Sequence, residues 1–149
     1  YEKQNELLEK QNSVMQKFRV LDHDADIRIE VYGASRNELF ENAAKGIFSL
    51  LTDPASVRPV TEKKVVANGN GELLVNFLNE LLFVWDVERF IPVEIAVDFV
   101  PDGVSALLKG EDFDESRHLI RLEMKAVTYH NFSMTRENGT YKATFVIDV

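Results

Sequence analysis

The sequence predicts an α+β fold: two helices packed on a largely antiparallel β-sheet, in a single compact domain. Three observations carry that prediction. An alternating strand pattern at residues 27–31 runs into a capped, amphipathic helix. A second and more apolar helical stretch follows one further strand. The remaining third of the chain then reads as strands separated by turns, with no further helix between them. The order strand, helix, strand, helix, run of strands argues against a doubly wound parallel fold, in which helices and strands alternate throughout.

The first 17 residues are polar and rich in Glu, Gln and Asn, with Leu7, Leu8, Val14 and Met15 at loosely helical spacing. They read as a segment appended to the domain, either an exposed helix or one that binds a partner or another copy. Tyr1 in first position suggests a trimmed or incomplete N-terminus. The pattern tightens at Phe18. Ile27, Ile29 and Val31 alternate with Arg28, Glu30 and Tyr32, as in a strand with one face buried. Gly33 supplies a turn, and Ser35 with Glu38 three residues on forms a capping box. The helix behind it carries Leu39, Phe40, Ala43, Ile47, Phe48 and Leu51 on one stripe and stops at Asp53-Pro54. Residues 62–67 read as a strand, 68–71 as a turn, and 73–87 as the second helix, with Phe77, Leu78, Leu81, Leu82 and Trp85 facing a sheet. A hairpin is expected from 92–100 and 104–109 about the turn PDG. Strands at 119–127 and 132–136 precede a tighter turn at ENGT, and 141–149 closes the chain.

Composition narrows the function. The 149 residues are 45% hydrophobic and 28% charged, which suits one domain with a proper core. A net charge of −8 repels phosphate on average, and no local gathering of basic residues offsets it, so direct nucleic-acid binding is disfavoured. Cysteine is absent, which excludes disulfides, thiolate metal sites and cysteine nucleophiles and leaves oxygen and imidazole as metal donors. Hard cations are favoured accordingly. No apolar run reaches the ~20 residues of a spanning helix and no signal-peptide pattern opens the chain, so the expectation is a soluble, cytoplasmic protein with no membrane partner. The P-loop, G-x-G-x-x-G, H-E-x-x-H and EF-hand patterns are all missing.

Three polar stretches remain. LDHDADIRIEVYG crowds Asp22, His23, Asp24 and Asp26 beside a buried strand. If the segment is continuously extended, the three aspartates share one side and His23 takes the other. Carboxylates that close raise one another's pKa unless a cation or hydrogen bonds compensate, so the cluster is either a metal or proton-transfer site or a solvated strand end. EMKAVTYHNF places Lys125 and His130 among apolar neighbours. Lys125 is either partly buried, with Asp26 or Asp148 as partner, or a solvated strand lysine, and His130 reads as a satisfied surface imidazole. GEDFDESRH is a structured polar loop in which carboxylates and Arg117 pair locally.

Together and in this order, these stretches resemble the archease family. The family's DHTAD strand with its aromatic-Gly turn stands here as DHDAD…YG, and its NELLF helix as LNELLF at 78–83. Its GExFDxxRH loop is GEDFDESRH, its KAVTYH segment occupies 125–130, and its closing hydrophobic-Asp-hydrophobic pattern is VIDV. The resemblance covers 18–149. It implies an accessory protein, not itself an enzyme, that activates an RtcB-type RNA ligase in tRNA splicing or RNA repair. Such a protein promotes guanylylation of the ligase with GTP and multiple turnover, and meets tRNA only indirectly. It further implies a divalent metal ion (Ca, Mg or Mn) held by Asp26, Asp148 and the terminal residue Val149, with Lys125 as a functionally required lysine. Two positions depart from the family pattern: Asp24 stands where Thr is usual and Arg28 where Gly is frequent.

An antiparallel pairing of the first strand with the last would bring Asp26 to Asp148, and with a terminal carboxylate at Val149 would form a hard oxygen site. Two other classes of function fit the same cluster: a free-standing metal-dependent phosphohydrolase, and an interaction module with a structural metal.

Overall fold

The computed structural model describes residues 18–23, 26–69 and 72–149. The appended segment 1–17, Asp24 and the second half of the 68–71 turn lie outside the described residues.

The described residues open with a hairpin that the sequence pattern did not reveal. Strand β1 (Phe18–His23) pairs antiparallel with β2 (Asp26–Gly33), placing Asp22 opposite Arg28. The condition under which the aspartates would share one side, a continuously extended 22–26, is therefore not met, since Asp22 and Asp26 belong to different strands. Alternation assigns faces only within one strand, and here the chain reverses between His23 and Asp26. Gly33 lets β2 run straight into the next element, since a Cβ there would lie 2.4 Å from the Leu39 nitrogen.

Helix α1 (Arg36–Leu51) begins as anticipated: the Glu38 amide donates to Ser35 Oγ at 3.1 Å. Its expected apolar stripe, from Leu39 to Leu51, is buried. Asp53 then caps a short turn at Pro54–Ser56. Strand β3 (Thr61–Asn68) leads to helix α2 (Leu73–Phe83). Here the helix expected to reach residue 87 departs from α geometry: a wider π turn occupies Val84–Glu88 and closes on Arg89 in the left-handed region (φ 53°). The turn keeps Trp85 in the core, edge-on to Phe113 with ring centroids 5.7 Å apart, while its indole N–H donates to Glu123.

Strands β4 (Phe90–Val100) and β5 (Gly103–Asp112) form the expected hairpin, with Asp102 left-handed at the turn. The strand expected at 119–127 is corrected. Residues 118–125 follow no regular ladder, and β6 starts only at Ala126 (Ala126–Glu137). The alternation there has a different cause: Met124 is buried and Leu119 is 76% exposed because the segment lies along the core's rim without pairing. Strand β6 runs through the expected break at 128–131 as a bulge, then turns through left-handed Asn138 and Gly139 into β7 (Thr140–Asp148).

The strands form two sheets rather than one, ordered β1-β2-β7-β6 and β3-β5-β4, with every pairing antiparallel. Each helix joins both: α1 packs on β2 and β4, α2 on β3 and β6. Phe40 of α1 sits at their meeting point, 5.6 Å from the Phe77 ring and 4.9 Å from Phe99. Among the described residues no helix is long and apolar enough to cross a membrane.

Candidate functional site: an acidic sheet end

The register of the four-stranded sheet builds the site. Asp26, the first residue of β2, lies directly opposite Asp148, the last of β7, and Asp148 in turn faces Ala126 at the start of β6. Opposed residues of an antiparallel ladder share a face. The next row, Ile27, Ile147 and Val127, is buried in the core, so the two aspartates point outward, and both are exposed. Their carboxyls meet. The hydrogen bond to Asp148 is the main influence raising the Asp26 pKa, followed by loss of solvent and repulsion from the Asp148 charge, while His130 pulls it down.

Lys125 reaches this end through its backbone, its amide donating to the Asp148 carbonyl at 2.8 Å. Its side chain is exposed, and among the described residues no ion pair to its ammonium is found, so the solvated alternative holds. Val149 follows Asp148 and is half-buried against the core. His130, which the sequence suggested was a satisfied surface imidazole, is exposed and acts on the acidic pair. Alternation could not place it, because the bulge between Thr128 and Ser133, with Asn131 left-handed at φ 57°, sets its direction. Its imidazole acts electrostatically on Asp26.

Two convergent carboxylates are suitable donors for a hard divalent cation. Thr128, two rows inward and so on the same face, has a buried hydroxyl oxygen with no hydrogen-bond partner. The fit is that of a partial coordination sphere: among the described residues no group of three acidic or histidine side chains is assembled.

The GEDFDESRH loop forms a separate polar cluster, and the anticipated local pairing is there. Glu111, at the end of β5, is buried and accepts from the Arg58 amide at 2.7 Å and from Arg117 Nη1 at 3.0 Å. His118 Nδ1 accepts from the Asp114 amide at 2.9 Å, so Nε2 carries the proton that points to Glu111 at 3.1 Å. The Arg117 guanidinium is the main reason the Glu111 carboxyl lies far below the usual glutamate range. With Glu111, Asp114, Arg117 and His118 bonded to one another or to nearby backbone, the cluster clamps the loop.

The Archease protein family (MTH1598/TM1083) matches residues 18–149. The archease of Sulfurisphaera tokodaii is 35% identical over 139 residues, covering 91% of this chain and 100% of that protein. The archease of Archaeoglobus fulgidus is 36% identical, with 89% and 99% covered. Among solved structures, Methanobacterium thermoautotrophicum protein 1598 superposes with a TM-score of 0.75 at 32% identity, covering 91% of this chain and 100% of that one. A Thermotoga maritima structure, described as an archease and possible chaperone, shares the fold with a TM-score of 0.62 at 21% identity, covering 88% of this chain and 96% of that one. With an acidic sheet end built from β2 and β7 and a family match over all of 18–149, this chain belongs to the archease family.

Proposed function

We propose that this chain is a non-catalytic accessory protein that activates an RtcB-type RNA ligase, promoting guanylylation of the ligase with GTP and its multiple turnover in tRNA splicing or RNA repair. The observation that carries the reading is the direct opposition of Asp26 and Asp148 across β2 and β7. In this reading Asp26, Asp148 and Val149 hold a divalent cation, Ca, Mg or Mn. A bound cation supplies positive charge that neutralises the two carboxylates and attracts phosphate oxygens. The chain's own residues do the rest: Asp26 and Asp148 present oxygen donors on an open face, and exposed Lys125 adds a point charge suited to phosphate or to an acidic group on the ligase. Membership of the archease family and the matching motifs support the reading.

Purified ligase, GTP and divalent cation, incubated with the parent chain or with Asp26→Ala, test it. The parent should raise the yield of guanylylated ligase and the variant should not. Equal yields with and without the parent chain would overturn the activator role, and phosphate release from GTP by the chain alone would indicate a phosphohydrolase instead.

A further inference from the structure

The start of β6 is held on one side only by a short ladder. Ala126, Val127 and Thr128 pair with Asp148, Ile147 and Val146, and the pairing then breaks until Ser133. Ahead of these three residues lies the irregular run 118–125, and behind them the bulge. β6 is the last strand of its sheet, and among the described residues no further strand covers its outer side. A three-residue ladder between a loop and a bulge leaves register and direction weakly specified.

A side chain of α2 supplies the missing hold. Asn79 Nδ2 donates to the Val127 carbonyl at 2.9 Å, and Asn79 Oδ1 accepts from the Val127 amide at 2.8 Å. One carboxamide thus satisfies both outward backbone groups of Val127, as a neighbouring strand would. Val127 lies two residues after Lys125, whose amide bonds to the Asp148 carbonyl, and one after Ala126, which faces Asp148. We infer that Asn79 is a positioning residue for the acidic sheet end: its carboxamide holds Val127 in register so that Lys125 stays joined to Asp148 beside Asp26. The part concerning the cation rests on the functional reading above. Carboxamide geometry gives the role its specificity, since only a group with both a donor and an acceptor can bridge one residue's N–H and C=O.

Four proteins test this: the parent chain, Asn79→Ala, Asn79→Asp and, as a control, Asn37→Ala. Asn37 makes a comparable bond from α1, its Nδ2 donating at 2.7 Å to the carbonyl of Val97 on β4, in the other sheet. Melting temperature, hydrogen exchange at the Lys125 and Val127 amides in cation-free protein, and calorimetric Mn²⁺ titration are measured on each. Asn79→Ala should speed exchange at Lys125 selectively and weaken Mn²⁺ binding about tenfold, as loss of an outer-shell support does. Asn79→Asp, which keeps an acceptor for the Val127 amide, should fall between Asn79→Ala and the parent. Asn37→Ala should lower the melting temperature while leaving Lys125 exchange and Mn²⁺ binding unchanged. Lys125 exchange no faster in Asn79→Ala than in Asn37→Ala would overturn the inference. If Asn79→Ala does not fold, Asn79→Asp decides by the same comparison. A parent chain that binds no Mn²⁺ would sink the cation reading alone, and exchange at Lys125 would still decide the role of Asn79.

Discussion

Two carboxylates placed opposite each other on an exposed face repel whenever both are ionised. The hydrogen bond to Asp148, then loss of solvent, then this repulsion make the Asp26 carboxyl hold its proton to higher pH than an ordinary aspartate. A folded-state pKa above the unfolded one means a contribution that favours the fold at low pH and is lost as pH rises through the folded value. Asp26→Asn should therefore melt no lower than the parent at pH 7 in the absence of divalent cation, and should lose the stabilisation that added cation confers on the parent. Paired melting curves with and without Mn²⁺ check both halves, and a variant that keeps the full cation shift would remove Asp26 from the ligand set. Lys125 calls for a different pair of variants. Lys125→Ala should abolish ligase activation, and Lys125→Arg should recover little of it, because a planar fork does not replace a compact ammonium. Wild-type turnover in the Arg variant would show that any positive charge suffices.

At the scale of elements, the loop clamp and the last hairpin make separate demands. Glu111 has its pKa depressed by Arg117, the Arg58 amide and His118, so its contribution to stability is present above about pH 4.5 and is lost as pH falls toward its folded value. Replacing Glu111 by Gln should lower the melting temperature at pH 7 and flatten the acid limb below about pH 4.5. An unchanged acid limb would mean the clamp does not govern acid unfolding. Gly139 occupies the left-handed region at φ 78° with open space where a Cβ would stand. Gly139→Ala should therefore cost about 1 kcal/mol from backbone conformation alone, measured by urea unfolding. The ENGT turn was legible in the sequence because Asn-Gly between strands has few alternatives. A break at 128–131 was legible, but not that it is a bulge within one strand, because a bulge follows from what the partner strand and α2 allow.

Across the whole molecule, stability depends on two helices that each touch both sheets. Phe40 is fully buried where α1, α2 and β4 meet, through its contacts with Phe77 and Phe99. Phe40→Ala should cost about 3–5 kcal/mol, the loss of a large core ring plus the cavity left behind. Because the helices couple the sheets, exchange protection should fall in β2 and β4 together. Loss confined to one sheet would show that the two sheets unfold independently.

Local chemistry determined much of this protein from the sequence by itself. The Ser35 cap, the α1 stripe, the PDG and ENGT turns and the α+β class depend on neighbours within a few residues, so they could be read directly. The opposition of Asp26 and Asp148 was legible as well, once the alternating strand at 27–31 was paired antiparallel with the closing strand; that this strand is the second of the sheet was not. Tertiary structure alone decided the β1–β2 reversal, the division into two sheets, the irregular path of 118–125 and the direction of His130. It also decided the bridge from Asn79 to Val127, which joins residues 48 positions apart. Each of these depends on which edges and faces other parts of the chain leave open, and hydrophobic periodicity records only that a face is buried, not what buries it.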